Sequence, residues 1–172
     1  MKSLVAYSSL TGNTKAVAEA VAKGLGEGAS LVPVKEAPAP EGFDLVVVGF
    51  YVDKGKADAD SLRYLEGLKG RKAAFLFTLG AYPDSPHADK VEEGTRELLA
   101  KGGNEVLGCF RSQGKVDPGL IEVMKKKLGP DHPHAQMTEE RKALLEEASK
   151  HPDSEDIKRA EEFGVGLLSR DA

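Results

Sequence analysis

Four hydroxyl side chains fall within seven residues near the N-terminus: Ser8, Ser9, Thr11 and Thr14, interleaved with Leu10, Gly12 and Asn13. Their surroundings decide what such a cluster can do. The apolar run Leu4-Val5-Ala6-Tyr7 precedes it and an amphipathic pattern starts near Lys15. A buried strand, a turn of small hydroxyl residues and then a helix is an arrangement that binds phosphate. The unpaired N–H groups of the first helical turn face the ligand, and the helix dipole adds roughly half a positive charge. The hydroxyls of Ser9, Thr11 and Thr14 can donate to phosphate oxygens, and Gly12 lets the backbone come close. Ser8 to Thr14 contains no Lys or Arg, so dipoles rather than formal charge would hold the anion. Helix capping is the plainer reading, but a cap needs one hydroxyl and this stretch has four. Neither G-x-x-x-x-G-K nor G-x-G-x-x-G is present, which argues against a P-loop nucleotide and against a dinucleotide bound in Rossmann fashion.

Two other stretches carry aromatic residues. Phe50 to Ala57 includes Phe50, Tyr51, Val52, Asp53 and Lys54; Thr78 to Pro86 includes Thr78, Leu79, Gly80, Ala81 and Tyr82. Aromatics on two sides of a phosphate site suggest a flat ring system stacked between them. Tyr82, held extended by Pro83, is the first candidate for stacking, and Tyr51 the second.

The elements that must position these stretches follow from periodicity. Strands are expected at Lys2–Tyr7, Ser30–Val34, Leu45–Gly49, Ala73–Phe77 and Val106–Phe110. The β-branched run Val46-Val47-Val48 suits a parallel strand covered on both faces. Helices are expected at Asn13–Leu25, Asp58–Leu68, His87–Lys101 and Leu120–Leu128, the last in the fifth helical position. Five strands alternating with helices define a doubly wound α/β sheet in three layers. In such sheets a ligand binds beyond the carboxyl ends of the strands, where all three stretches emerge.

The pattern Ser9-x-Thr11-Gly12-x-Thr14 after a first strand resembles the phosphate loop of flavodoxins, and residues 1–128 look like a short flavodoxin-type domain. The resemblance implies a parallel sheet in the order 2-1-3-4-5 and an FMN cofactor. Its phosphate would contact Ser9, Leu10, Thr11, Gly12, Asn13 and Thr14. Its isoalloxazine would lie between Phe50–Lys54 and Thr78–Tyr82. Gly55 and Gly49 are the positions where a carbonyl could turn toward the flavin. The chain departs from many flavodoxins in having no Trp and in placing Lys54 and Lys56 beside Asp53 and Asp84. A nearby Lys would favour the anionic reduced flavin. The resemblance implies electron transfer between redox partner proteins, with no catalytic acid or base. The competing reading is an FMN-dependent reductase acting directly on a small substrate such as a quinone or tetrapyrrole. A non-redox module holding another phosphate compound is the third.

Composition narrows the field further. The chain has 172 residues and a formal net charge of -4, with both signs dispersed, which disfavours nucleic-acid binding. No stretch is apolar for long enough to span a bilayer, so a cytoplasmic protein, monomeric or weakly dimeric, is expected. Cys109 is the single cysteine and sits in an apolar strand pattern as a core residue. His132 and His134 form an H-x-H in a Pro-containing loop with no supporting carboxylate cluster, so no metal is expected. Residues 129–172 read as a helical C-terminal extension packed on the domain. Thr138 caps one helix, and a second begins at Asp153-Ser154 with Ile157, Ala160, Phe163, Gly164 and Leu167 on one stripe.

Overall fold

The computed structural model describes residues 1–133 and 135–170; His134 of the H-x-H pair lies outside the described residues. The strands are β1 (Ser3–Tyr7), β2 (Ala29–Pro33), β3 (Leu45–Asp53), β4 (Lys56–Ala57), β5 (Lys72–Leu79) and β6 (Glu105–Gln113). The helices are α1 (Asn13–Leu25), α2 (Ala59–Gly67), α3 (Pro86–Lys101), α4 (Pro118–Leu128), α5 (Glu139–Ala148) and α6 (Ser154–Arg170). The five long strands are parallel and run β2-β1-β3-β5-β6 across the sheet, which is the expected order. The sixth, β4, is a short antiparallel return on β3.

Alternation along the strands divides the core into two layers. On one face Phe50, Phe75 and Phe77 are fully buried, with the rings of Phe50 and Phe77 stacked at 5.5 Å. Leu65 of α2 and Leu99 of α3 cover them. On the other face Val5, Val47 and Leu76 meet Val17 and Val21 of α1 together with Ala160 and Leu167 of α6. Each of these large side chains contributes about 1.5–3 kcal/mol by leaving water. Asn104 closes the far end of the sheet: its amide donates to Leu68 O and Leu99 O, each at 2.9 Å.

The helix lying beside α1 is α6. A Cβ added to Gly24 of α1 would sit 2.1 Å from Glu161 O, and one on Gly164 of α6 would sit 2.3 Å from Val21 O. The two backbones therefore touch where neither carries a side chain. Phe163 continues the contact onto β6, 5.8 Å from the Phe110 ring. In contrast α4, expected in the fifth helical position, buries none of its residues. The C-terminal helices are present as expected, but the last of them takes the place beside α1, and α4 and α5 lie between it and β6 in the chain.

The turn into α6 is a polar clamp. Asp156 N donates to Asp153 Oδ1 at 2.9 Å and Asp153 N donates to Asp156 Oδ2 at 3.0 Å, a reciprocal capping box. His151 Nδ1 bonds the same Asp156 carboxylate, and Arg159 Nη2 donates to its other oxygen at 2.5 Å. His151 Nε2 lies 3.2 Å from Glu147 Oε1 on α5. The Asp156 hydrogen bond holds the His151 imidazolium above its usual range, against the opposing effect of burial. A raised folded value stabilises the protein fully below the unfolded pKa, about 6.5, and the contribution is lost as pH rises through the folded value. Stability is therefore expected to fall as pH rises above about 6.5 and through the folded value. His151→Asn should flatten that slope in urea melts taken across the range.

Candidate functional site

The hydroxyl loop is tied down before it meets any ligand. Ser8 N donates to Gly49 O at 2.9 Å, which fixes the end of β1 against β3 and occupies the Gly49 carbonyl. Ser9 Oγ accepts from Gly12 N at 3.1 Å and from Lys15 N at 3.2 Å, so Ser9 is an internal strut of the loop. Gly12 sits at φ 93, in the left-handed region that suits glycine, and Ala16 N donates to its carbonyl at 3.1 Å to start α1. Thr14 is 1% exposed, and its hydroxyl shares a 2.8 Å hydrogen bond with that of Thr78. Leu10 and Thr11 stand at the surface. Among the described residues, the amide N–H groups of Leu10, Thr11, Asn13 and Thr14 have no acceptor, the open donor set of a helix start.

The second wall is a strand end rather than the expected loop. β3 continues to Asp53, turns through Lys54 and Gly55 at φ 50 and 79, and returns as β4. Two successive positive φ values make the two-residue turn favoured in hairpins. Lys54 occupies one of them although it carries a Cβ. Strand alternation sends Phe50 into the core, where it is fully buried and cannot face a ligand. Tyr51 and Val52, by contrast, are half-buried at the sheet edge, and Tyr51 O accepts from Asp58 N at 3.2 Å. Burial, with the carboxylates of Asp58, Asp53 and Asp60 in support, pushes the Tyr51 phenol up. It stays neutral at physiological pH.

The third wall is anchored by β6. Thr78 and Leu79 are still in strand β5 and buried; Gly80 and Ala81 leave it. Gln113 Nε2 donates to Gly80 O at 3.0 Å and Arg111 Nη1 to Pro83 O at 2.9 Å. Arg111 is fixed in turn by Glu92 and Asp89, each at 2.7 Å. Tyr82 is 44% exposed, and its carbonyl accepts from both Ser85 N and Ser85 Oγ. Its ring lines a separate cavity of about 750 Å³ shared with Gln113, α5 and the start of α6. Tyr51, not Tyr82, is the aromatic beside the hydroxyl loop.

A fourth wall has no counterpart in the three stretches singled out from sequence. Asn13 Nδ2 donates to Lys115 O at 2.9 Å, and a Cβ on Gly80 would lie 2.5 Å from Val116 Cγ2. Residues 114–117 thus close over the first and third walls, with Leu120 of α4 beside them. Nothing in the local sequence of residues 114–117 announces this approach to Asn13 and Gly80.

Together the four walls enclose a cleft of about 100 Å³ lined by Thr11, Asn13, Thr14, Tyr51, Thr78 and Gly80 among others. Leu10 and Tyr51 separate it from a second depression of about 550 Å³ that reaches Ser9, Gly12 and Lys15. Unpaired helix-start N–H groups and the Thr11 hydroxyl suit a phosphate. Tyr51, Val52 and Leu79 offer apolar surface to a flat ring. Of the expected ligand-contacting residues, Phe50 is withdrawn into the core, and Asp53, Lys54, Ala81 and Tyr82 line neither the cleft nor the adjoining depression. Cys109 lies apart from the cleft, and burial pushes its thiol far above the usual range, with Glu92 adding to the effect. It is half-buried on β6 and packs against the core.

A doubly wound sheet in this order, with a hydroxyl-rich first loop at its carboxyl edge, is flavodoxin-like. A flavodoxin-domain family model matches residues 4–164, and the chain belongs to that family. It is 35% identical to the flavodoxin-like domain-containing protein BilS of Clostridioides difficile (strain CD3), over 98% of this chain and 97% of that one. Its identity to the BilS protein of Clostridium symbiosum (strain WAL-14163) is 29%, over 98% and 96% of the two chains. Among solved structures, the flavodoxin of Streptococcus pneumoniae TIGR4 superposes with a TM-score of 0.62 at 18% identity, covering 99% of both chains. At that identity the likeness is one of fold. Among the described residues no helix is long and apolar enough to cross a membrane.

Proposed function

We propose that this chain binds FMN in the four-walled cleft and carries electrons between redox partner proteins. One observation supports this most directly. The open N–H groups of Leu10, Thr11, Asn13 and Thr14 share a cleft with Tyr51 and with Thr78–Gly80, so phosphate donors and ring-facing surface converge on one sheet edge. FMN, when bound, supplies the one- and two-electron chemistry.

The chain's own residues bind, orient and shield. The first turn of α1 and Thr11 receive the phosphate. Tyr51 and Val52 present one ring surface, and Leu79 with Gly80 the other. The Lys54–Gly55 peptide sits at a turn tip where the nearest side-chain atom to a Gly55 Cβ is His87 Cε1 at 3.9 Å, so it has room to reorient toward the ring. The Gly49 carbonyl, held by Ser8 N, does not. Val116 and Leu120 limit water at the cleft mouth. Electron transfer asks for no proton donor, and no side chain is assigned that role.

The test is the flavin spectrum of the purified protein and fluorescence titration of the apoprotein with FMN. A yellow protein, or quenching of added FMN at micromolar concentrations, is expected. A colourless protein that leaves FMN fluorescence unchanged would sink the proposal. Gln113→Leu removes the donor on Gly80 O and should raise the FMN Kd about tenfold while costing about 1–2 kcal/mol of stability.

A second reading, direct reduction of a small substrate such as a quinone or tetrapyrrole, is favoured by the 750 Å³ cavity beside Tyr82. Stopped-flow reduction by NADPH alone separates the two: slow for a carrier, fast for a reductase.

A further inference from the structure

Helix α4 leaves an unpartnered face beside the cleft. None of its 11 residues is buried. Leu120, Val123, Met124, Lys127 and Leu128 follow the i, i+3, i+4, i+7, i+8 spacing of one helical stripe. Leu120, Val123 and Leu128 are 43%, 45% and 41% exposed. Leu10, 60% exposed, lines the same cleft as Leu120, so the apolar stripe begins at the mouth of the proposed flavin site. Its charge is as distinctive. Residues 115–128 hold four lysines (Lys115, Lys125, Lys126 and Lys127) against two carboxylates, in a chain of net charge -4. Both carboxylates are engaged: Asp117 Oδ1 accepts from Gly119 N at 2.8 Å, and Glu122 pairs with Lys125 at 3.4 Å.

We infer that the α4 face, from Leu120 to Leu128, is the docking surface for a redox partner protein whose own contact patch is apolar and ringed by carboxylates. The inference rests on the FMN reading above and adds the sign and place of the encounter. An electron carrier must bring its flavin edge close to the partner. The α4 stripe leads to that edge, the lysines steer an acidic partner toward it, and the exposed leucines and valine supply contact area once water leaves.

The test uses two haem proteins of opposite surface charge as acceptors: cytochrome b5, acidic around its haem edge, and cytochrome c, basic around its own. Chemically reduced holoprotein is mixed with each in stopped flow at low and high salt. The rate with cytochrome b5 should fall about tenfold as salt screens the attraction. The triple variant Lys125→Glu/Lys126→Glu/Lys127→Glu should reverse that salt dependence, and Val123→Ser should slow the reaction. Both should leave the FMN Kd unchanged. Amide shift mapping of the FMN-free protein with cytochrome b5 should mark residues 118–128, an arm that needs no flavin. Absence of FMN binding with those shifts retained would sink only the cofactor reading. Bound FMN with no shifts on α4, or with rates indifferent to the charge swap, would overturn the docking surface alone. So would a Val123→Ser-sensitive dimer, or sedimentation with phosphatidylserine vesicles lost in the charge swap, because each gives the stripe another occupant.

Discussion

Replacing Gly164 with leucine should cost about 3 kcal/mol or more and lower the melting temperature by roughly 6–12 °C in a chain of this length. The cause lies in the α1–α6 crossing. A Cβ on Gly164 would lie 2.3 Å from Val21 O and 3.1 Å from Gly24 Cα. Both are backbone atoms, so no rotamer change relieves the overlap; the helices must separate. Separation then uncovers Val17, Val21, Ala160 and Leu167, all fully buried. The salt bridge Lys23–Glu161, 2.8 Å long at the rim of the contact, cannot compensate, because such exposed pairs contribute about 0.2–1 kcal/mol. Gly166, two residues on in the same helix, is the control. No heavy atom lies within 4 Å of its Cβ position. Gly166→Ala should therefore stabilise α6 by about 0.5–1 kcal/mol through helix propensity and unfolded-state entropy. Urea melts of the two variants should move in opposite directions. Equal loss in both would mean that α6 does not depend on this crossing.

The same contact shows where sequence reading reached its limit. The order of the five strands was legible because parallel strands separated by helices, with right-handed crossovers, leave few arrangements. Which helix closes the sheet was not. Residues 120–128 and 154–170 both carry apolar stripes, and amphipathicity does not say against what a stripe packs. Small residues held the missing signal: Ala20 and Gly24 of α1 and Ala160 and Gly164 of α6 share one spacing, which permits two backbones to touch. Phe50 was misplaced for a related reason. Val46, Val47 and Val48 are buried on both faces, so the run has no alternation from which to read where Phe50 points. Only the extension of β3 to Asp53, pinned by the Lys54–Gly55 turn, sends Phe50 inward and leaves Tyr51 at the edge. The hydroxyl loop was the most legible part of the site, since a strand, a turn of small residues and a helix are local in sequence. The wall formed by residues 114–120 depends on contacts across about 100 residues, such as Asn13 with Lys115, and no local pattern reports those.

Gly12→Glu should raise the FMN Kd at least about a hundredfold. Two unit charges about 6 Å apart at an effective dielectric constant near 20 repel by about 3 kcal/mol, which corresponds to roughly that factor. A side chain at φ 93 also strains the apoprotein by about 1–2 kcal/mol, so lost affinity must be separated from lost fold. Gly12→Asn does this: Asn tolerates the left-handed region and adds no charge, so its affinity should remain within about tenfold of the parent. Thr14 appears at first to be the sharper probe, but its hydroxyl is committed to Thr78 at 2.8 Å in a buried pair. Thr14→Ala orphans the Thr78 hydroxyl and should destabilise the protein by about 1–3 kcal/mol with or without FMN. Thr11, exposed and without that partner, is the hydroxyl whose removal reports on phosphate alone. Thr11→Ala should weaken FMN by about threefold to tenfold with no change in the melting of the apoprotein. Full affinity in Gly12→Glu, measured by fluorescence titration, would place the phosphate elsewhere and leave the hydroxyl loop as a rich helix cap.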